Sequence, residues 1–350
     1  MSARLPRRIL VLRPRALGDV LLLTPALRAL KATWPAARLD VAVDDALATL
    51  LQRNPHVDRL WLLPRRKPRR LRTWARVYAG IATAGYDLAI DLHGSPRTAM
   101  LAWLSRAPQR VGYALRGRGR FYTLRVPRDS DRYGRRRALY AARTNLEMLA
   151  RCGVGGPALD DLRLEFAPDA AAESAVAAWF EPLVPQRPRV GLAAPGTWQA
   201  KTYPVERWAE VGDRLAGAGC AVVLLWGPGE RPIAVAVQER MRAGATLLPP
   251  TDIDALAAVV GRLDALVCND SGVKHMAVAR GTPTLTLFGP TRPEAWTPPS
   301  GPHAGLRVDV PCSGCNRVTC VHHVCMRLLD PVVVAERAAR IARRGHACAS

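Results

Sequence analysis

Short runs rich in Leu, Val and Ile alternate with helical-period segments along almost the whole chain, and this alternation constrains the fold more than any single motif does. A run of four to seven apolar residues is too short for a helix and reads as a strand buried on both faces. When an amphipathic helix follows each such run, the chain must cross over before the next strand, and the sheet is parallel. The spacing predicts strands over 8–13, 38–43, 58–63, 86–92 and 109–112, with helices in the gaps and the clearest one over 71–84. Around 153–168 the alternation fails at Gly155, Gly156, Pro157 and Pro168, and an Ala-rich helix is expected to end near Phe180. The pattern restarts with a strand over 189–192, a loop and a helix over 205–218. Strands over 221–226, 245–248, 263–268 and 284–288 and a last helix over 331–343 follow. The fold class is therefore α/β with two parallel-sheet domains, 1–165 and 188–330, joined by a linker region over 166–187. A C-terminal helical segment, 331–350, is expected to pack back on the first domain. With 350 residues, 49% of them apolar, the chain can bury two such cores.

Nothing in the sequence reads as a membrane span, since the run over 20–30 is broken by Thr24, Pro25 and Arg28. The apolar stretch over 9–12 lies between Arg8 and Arg13 and is too short for a signal peptide. A cytoplasmic protein is expected, and its eight cysteines then argue against a disulfide framework. Four of them, Cys312, Cys315, Cys320 and Cys325, have C-x2-C-x4-C-x4-C spacing with His322 and His323 nearby. That spacing permits a structural zinc or iron–sulfur site, unbound thiols or redox pairing.

Charge is distributed unevenly. Residues 1–160 carry 31 Lys and Arg against 11 Asp and Glu, so nearly all of the net charge of +22 lies in the first half. Clusters such as Arg65, Arg66, Lys67, Arg69, Arg70 and Arg135, Arg136, Arg137 fit an anionic partner, whether acidic lipid, phosphorylated glycan or nucleic acid, or else a solvated face.

Three segments carry chemistry. The first strand runs into Arg13-Pro14-Arg15-Ala16-Leu17-Gly18-Asp19, placing Asp19 at a strand's carboxyl end near a helix N-terminus, where open α/β sheets bind ligands. A helix-capping aspartate is the plainer reading of the same residue. The second domain opens with Ala193-Ala194-Pro195-Gly196-Thr197-Trp198 and then Lys201, so that a glycine, a hydroxyl and an ammonium group follow a strand as an anion site requires. The sharpest segment is Asn269-Asp270-Ser271-Gly272-Val273-Lys274-His275, a tight turn opening a helix. It is followed by the Gly-Pro turn of Phe288-Gly289-Pro290-Thr291 near the same strand ends.

Taken together, RPRALGDVLLLTPALRALKATWP, YDLAIDLHGSPRT, APGTWQAKTYPVERW, NDSGVKHMAVARGTPTLTLFGPT and the late CSGC resemble glycosyltransferase family 9, the lipopolysaccharide heptosyltransferase family. The resemblance covers most of the chain. It implies the GT-B architecture, two Rossmann-like domains facing across a cleft, with acceptor held mainly by the first and nucleotide-sugar donor by the second. It implies an inverting, metal-independent transfer of a heptose from ADP-heptose to a lipid-linked core acceptor, without a required cofactor. The enzyme would work at the cytoplasmic face of the inner membrane, in peripheral contact with anionic lipid. On the same resemblance Asp19 is the catalytic base. Gly196, Thr197, Lys201, Glu230, Asp270, Ser271, Gly272 and His275 hold the donor, and Arg15, His93 and Arg97 lie on the acceptor side.

The chain also departs from the family pattern. Ala194 stands in place of the usual His, Tyr203 in place of Trp, and Lys274 where an apolar residue is usual; Lys274 is expected to face solvent, with contact to the donor diphosphate as the alternative. These departures keep open a family 9 transferase using another nucleotide sugar and glycan. A nucleic-acid-binding protein is the remaining alternative, disfavoured by few aromatic residues and no recognised motif.

Overall fold

The computed structural model describes residues 5–64, 71–127, 139–184 and 187–349. The basic clusters at 65–70 and 135–137 lie outside the described residues. The chain divides into two compact units, one of residues 1–129 and 141–166, the other of 130–140 and 167–350.

The first unit alternates β1 (Arg8–Leu12), α1 (Leu17–Leu21), α2 (Thr24–Thr33), β2 (Arg38–Asp44), α3 (Thr49–Gln52), β3 (Arg59–Leu63), α4 (Leu71–Thr83), β4 (Leu88–Asp91), α5 (Pro96–Leu104), β5 (Gln109–Tyr113), β6 (Leu124–Val126) and α6 (Ala141–Ala150). Its six strands are parallel in the order β3-β2-β1-β4-β5-β6. After its first residue β1 is wholly buried, as both faces of a central parallel strand must be. Below the strand ends, Tyr86 donates its hydroxyl to Asp40 and accepts Trp61 Nε1, both at 2.6 Å, so the only hydroxyl among these buried rings is satisfied twice. Helix α5 is set by Ser95, whose hydroxyl accepts from the Thr98 amide at 3.2 Å while Thr98 Oγ1 takes the Ser95 amide at 2.9 Å.

The second unit contains α7 (Ala170–Leu183), β7 (Arg189–Ala193), α8 (Val205–Gly217), β8 (Ala221–Leu224), α9 (Arg231–Arg240), β9 (Thr246–Leu247), α10 (Ile253–Val260), β10 (Ala265–Asn269), α11 (Gly272–Ala279), β11 (Thr284–Phe288), α12 (Pro293–Trp296), β12 (His303–Arg307), α13 (Val324–Arg327) and α14 (Pro331–Ala349). Its sheet is again six parallel strands, β12-β11-β10-β7-β8-β9. The expected α/β class and two parallel sheets are both present.

Three features differ from the sequence reading. The Ala-rich helix expected in the linker region to end near Phe180 is α7, which runs on to Leu183, is capped by Asp169 on the Ala171 amide at 2.8 Å and is tied to the second unit through Glu173, which takes both Arg262 and Arg280. Edge strands β6 and β12 were not apparent, because one is three residues long and the other, His-Ala-Gly-Leu-Arg, has no apolar run. Helix α14, expected to return to the first domain, lays Val334, Ala335, Ala338, Ala339 and Ala342 into the second unit's own core, beside Trp208 and Leu215 of α8.

Candidate functional site

In a sheet of order 3-2-1-4-5-6 the crossovers reverse direction between β1 and β4, and the carboxyl ends of those two strands leave a crevice. Arg13, one residue beyond β1, is buried there. One guanidinium nitrogen donates to the Leu92 carbonyl past the end of β4, and the other is ion-paired with Asp19 Oδ1 in α1. The second oxygen of Asp19 accepts the Ala16 amide at 3.3 Å, so the carboxylate is held from two sides while its side chain stays 26% exposed. Asp19 therefore both caps α1 and presents a fixed carboxylate at the crevice. Arg15 is exposed in the loop between.

At the end of β4, Asp91 is fully buried and accepts the amides of His93 and Gly94 at 2.9 and 2.8 Å and the Tyr122 hydroxyl at 2.6 Å. Burial pushes the Asp91 carboxyl above its ordinary range, partly offset by those donors. Its role is structural: it folds the loop that carries half-buried His93. Arg97, in the first turn of α5, lies 3.9 Å above the Trp74 ring and 3.7 Å from Asp44 Oδ1 at the end of β2. Asp19, His93 and Arg97 thus all lie at the carboxyl ends of the first sheet's strands or in the turns that follow.

The second sheet repeats the arrangement between β7 and β10. Asn269, the last residue of β10, donates to the Ala194 carbonyl at 2.6 Å and accepts the Tyr203 amide at 3.2 Å, fixing the loop after β7 against the loop after β10. Between them sits a buried ionic cluster. Asp270 Oδ2 takes Lys201 Nζ at 2.8 Å and Thr291 Oγ1 at 2.7 Å, and Oδ1 takes Lys274 Nζ at 2.5 Å. Burial alone would raise the Asp270 pKa, but the two ammonium groups outweigh it and hold the carboxyl well below the usual carboxylate range. Burial pushes Lys274 down from its ordinary value, with Asp270 opposing that shift.

Lys274 does not face solvent as expected. It is 1% exposed, with its ammonium 5.0 Å from the Phe288 ring and 5.9 Å from Trp296. Asp270 lies four residues earlier, just before the Ser271 N-cap of α11, and the ion pair with it lets the lysine turn inward.

The other residues that the sequence reading expects on the donor side surround this cluster unequally. Ser271 is the N-cap of α11 without a side-chain cap bond, so its hydroxyl does not occupy the first-turn amides that Gly272 opens. His275 is buried edge-on to Trp296, with ring centres 6.1 Å apart. Lys201 stacks 4.2 Å from the Trp198 ring, Gly196 is partly buried beside Asn269, and Thr197 is exposed. Glu230 closes the Trp226-Gly227-Pro228-Gly229 turn by accepting the Gly227 amide at 2.9 Å. Tyr203 does not line a pocket: its ring is fully buried and its hydroxyl donates to the Leu329 carbonyl at 2.8 Å.

The cysteine segment is not assembled as a metal site. Among the described residues no group of three or more His, Cys, Asp or Glu is gathered to hold an ion. Cys312 and Cys315 are exposed, Cys320 accepts the His323 amide at 3.3 Å, and His323 Nε2 lies 3.0 Å from the Ala200 carbonyl. Cys325 is buried under Gly289, where an added Cβ would come within 2.8 Å of its sulfur.

Sequence reading passed over Arg13, Asn269 and Thr291 as functional supports. Two of them carry a signal: a charged or amide side chain at the very end of a buried strand must find a partner across the sheet.

Comparison with known proteins gives a consistent picture. The model of glycosyltransferase family 9 (heptosyltransferase) matches residues 74–325. Lipopolysaccharide heptosyltransferase 1 of Pseudomonas aeruginosa is 28% identical over 340 residues, covering 90% of this chain and 88% of that protein. In three dimensions the chain is similar to a glycosyl transferase family 9 protein from Veillonella parvula, with a TM-score of 0.80, 23% identity and 97% of each chain covered. It is also similar to the ADP-heptose LPS heptosyltransferase II of E. coli, with a TM-score of 0.77 and 22% identity over 96% of this chain and 99% of the other.

Proposed function

The match over 74–325 places this chain in glycosyltransferase family 9, and from that premise we propose that it moves a heptose from ADP-heptose to a lipid-linked lipopolysaccharide core acceptor, inverting the anomeric centre. The names of the Pseudomonas and E. coli proteins support this choice of donor and acceptor. The observation that carries the reading is the cluster of Lys201, Lys274 and Asp270 at the β7–β10 crevice beside the open first turn of α11. A cationic side chain and helix amides converging at a strand end suit a diphosphate.

In this reading the second unit binds the donor through Gly196, Thr197, Lys201, Ser271, Gly272 and His275, with Asp270 anchoring Lys201 and Glu230 on the nucleoside side. The first unit binds the acceptor, with Arg15, His93 and Arg97 on its sugar and phosphates. An acceptor hydroxyl attacks the anomeric carbon, its proton passes to Asp19, and the bond from that carbon to the diphosphate oxygen breaks. Lys201 and the amides of α11 offset the charge that grows on the departing ADP. Arg13 aims the carboxylate of Asp19 by pairing with Oδ1, while the Ala16 amide holds Oδ2. Protein cations supply this balance, so the reaction as proposed calls on no metal. A structural zinc or iron–sulfur group at Cys312, Cys315, Cys320 and Cys325 has its support in their spacing; among the described residues they are not gathered as a set of metal ligands.

We place the enzyme in the cytoplasm, peripheral to the inner membrane. The support is the basic first half; among the described residues no helix is long and apolar enough to cross a membrane. A second reading, another nucleotide sugar on another glycan, rests on the departures at Ala194, Tyr203 and Lys274, all three of which are buried. The nucleic-acid reading has its support in the clusters outside the described residues.

A thermal-shift and calorimetry panel of ADP, GDP, UDP and their sugars tests the reading without added metal. Selective binding of ADP and ADP-heptose is expected. Preference for GDP or UDP would move the assignment to the second reading, and no nucleotide binding would overturn both.

A further inference from the structure

Lys274 and Lys201 grip the same carboxylate from opposite sides, yet only one of them has access to a ligand. The Lys201 side chain is 13% exposed, whereas Lys274 is sealed at 1% behind Phe288 and Trp296. A cation in the first turn of a helix opposes the helix dipole, and burying it adds a desolvation cost, so neither helix formation nor packing accounts for a lysine here.

We propose that Lys274 is the internal counterion of Asp270, and that by neutralising this carboxylate from the core side it leaves the charge of Lys201 to the donor's diphosphate. The inference rests on the donor reading above. Asp270 anchors Lys201 and Thr291, and with Lys201 alone the pair would be neutral. An arriving diphosphate would then meet an anion a few ångströms behind the ammonium group meant to attract it. With Lys274 in place the three side chains carry a net charge of +1. Lys201 is the member of the trio with the most solvent access, at 13% against 4% for Asp270 and 1% for Lys274. Lys274 acts through Asp270 and touches no substrate, so it is a positioning residue and a determinant of preference for charged over neutral ligands.

The test is a double-mutant cycle on the full chain, read by calorimetry with ADP and with adenosine as probes. In the wild-type background Lys274→Met is expected to weaken ADP at least tenfold and to leave adenosine within threefold. In the Asp270→Asn background the same substitution is expected to change ADP affinity less than threefold, because no carboxylate remains to be neutralised. If Lys274→Met alone does not fold, the Asp270→Asn pair decides, since both of its members lack a buried carboxylate. An equal loss in both backgrounds would show a direct or packing role and overturn the proposal, as would unchanged ADP binding in Lys274→Met. Adenosine weakened as much as ADP would also overturn it. Failure of the folded wild-type chain to bind ADP would overturn the donor reading itself, and the inference with it.

Discussion

The guanidinium of Arg13 joins Asp19 to the Leu92 carbonyl, so the end of β1, the start of α1 and the turn after β4 are held by one side chain. Asn269 does the corresponding work in the second unit, joining the Ala194 carbonyl to the Tyr203 amide across β7 and β10. Each sheet is therefore pinned where its crossovers reverse, which is where a ligand has room. The pins differ in charge, and that difference separates a site built to hold a carboxylate from one built to hold a lysine.

Asp19→Ala is expected to abolish turnover and to leave ADP affinity nearly unchanged, since in the proposed reaction the carboxylate meets only the acceptor's proton. Arg13→Met should lower kcat by about 100-fold or more through loss of aim. It should also cost about 1–2 kcal/mol of stability by leaving the Leu92 carbonyl without its donor. Steady-state kinetics with calorimetry of ADP checks both. Weakened ADP binding with turnover preserved in Asp19→Ala would reverse the assignment.

Lys201→Ala is expected to do both kinds of damage, raising the dissociation constant for ADP and lowering kcat. In the proposed reaction its ammonium faces the diphosphate in the ground state and meets more charge as the leaving group departs. A fall in affinity alone, with kcat intact, would confine Lys201 to binding.

Tyr122 supports the loop that carries His93, proposed to meet the acceptor, and Gly112 leaves space for its ring. A Cβ at residue 112 would fall 2.4 Å from Tyr122 Cζ, and the Tyr122 hydroxyl is what Asp91 accepts at 2.6 Å. Tyr122→Phe should cost about 1–3 kcal/mol by leaving a buried carboxylate oxygen short of a donor. Gly112→Ala should cost a similar amount, about 1–3 kcal/mol, through overpacking. Both should raise the KM for acceptor more than that for donor, because the loop carrying His93 loosens. Urea denaturation and paired KM measurements test this, and equal effects on the two substrates would detach the loop from the acceptor.

Much of this was legible because the two central sheets are parallel and buried, so their strands appear as uninterrupted apolar runs and the reactive loops fall directly after them. Where a residue's environment comes from distant segments, the sequence misleads. Lys274 reads as a surface lysine until Phe288 and Trp296 close over it, and Tyr203 reads as a departure bearing on the choice of sugar until its hydroxyl finds Leu329. Arg13 looks like one more basic residue in a basic half. Only its position as the first residue past a fully buried strand hints at a partner across the sheet. The Ala-rich stretch after Pro168 looked like a linker because its anchors, Arg262 and Arg280, lie about ninety residues or more further along.

His303, at the start of β12, gives the fold a pH dependence that can be measured apart from activity. Burial lowers its pKa to about 4, and its ring lies 3.2 Å from Thr284 Oγ1 across to β11. Between about 6.5 and about 4 the unfolded chain binds a proton here that the folded chain refuses, so stability falls as the pH drops through that window. The folded state takes up the proton only below about 4, where this contribution to the pH dependence ends. The loss reaches at most about 3 kcal/mol, less whatever solvent reaches the ring. Urea denaturation at pH 7 and pH 4.5 should show a larger loss of stability in the wild-type chain than in His303→Gln, whose side chain does not titrate. Identical losses in the two proteins would mean that the ring is protonated in the folded state as readily as in the unfolded one, and that β12 packs more loosely against β11 than the register from Thr284 to Phe288 indicates.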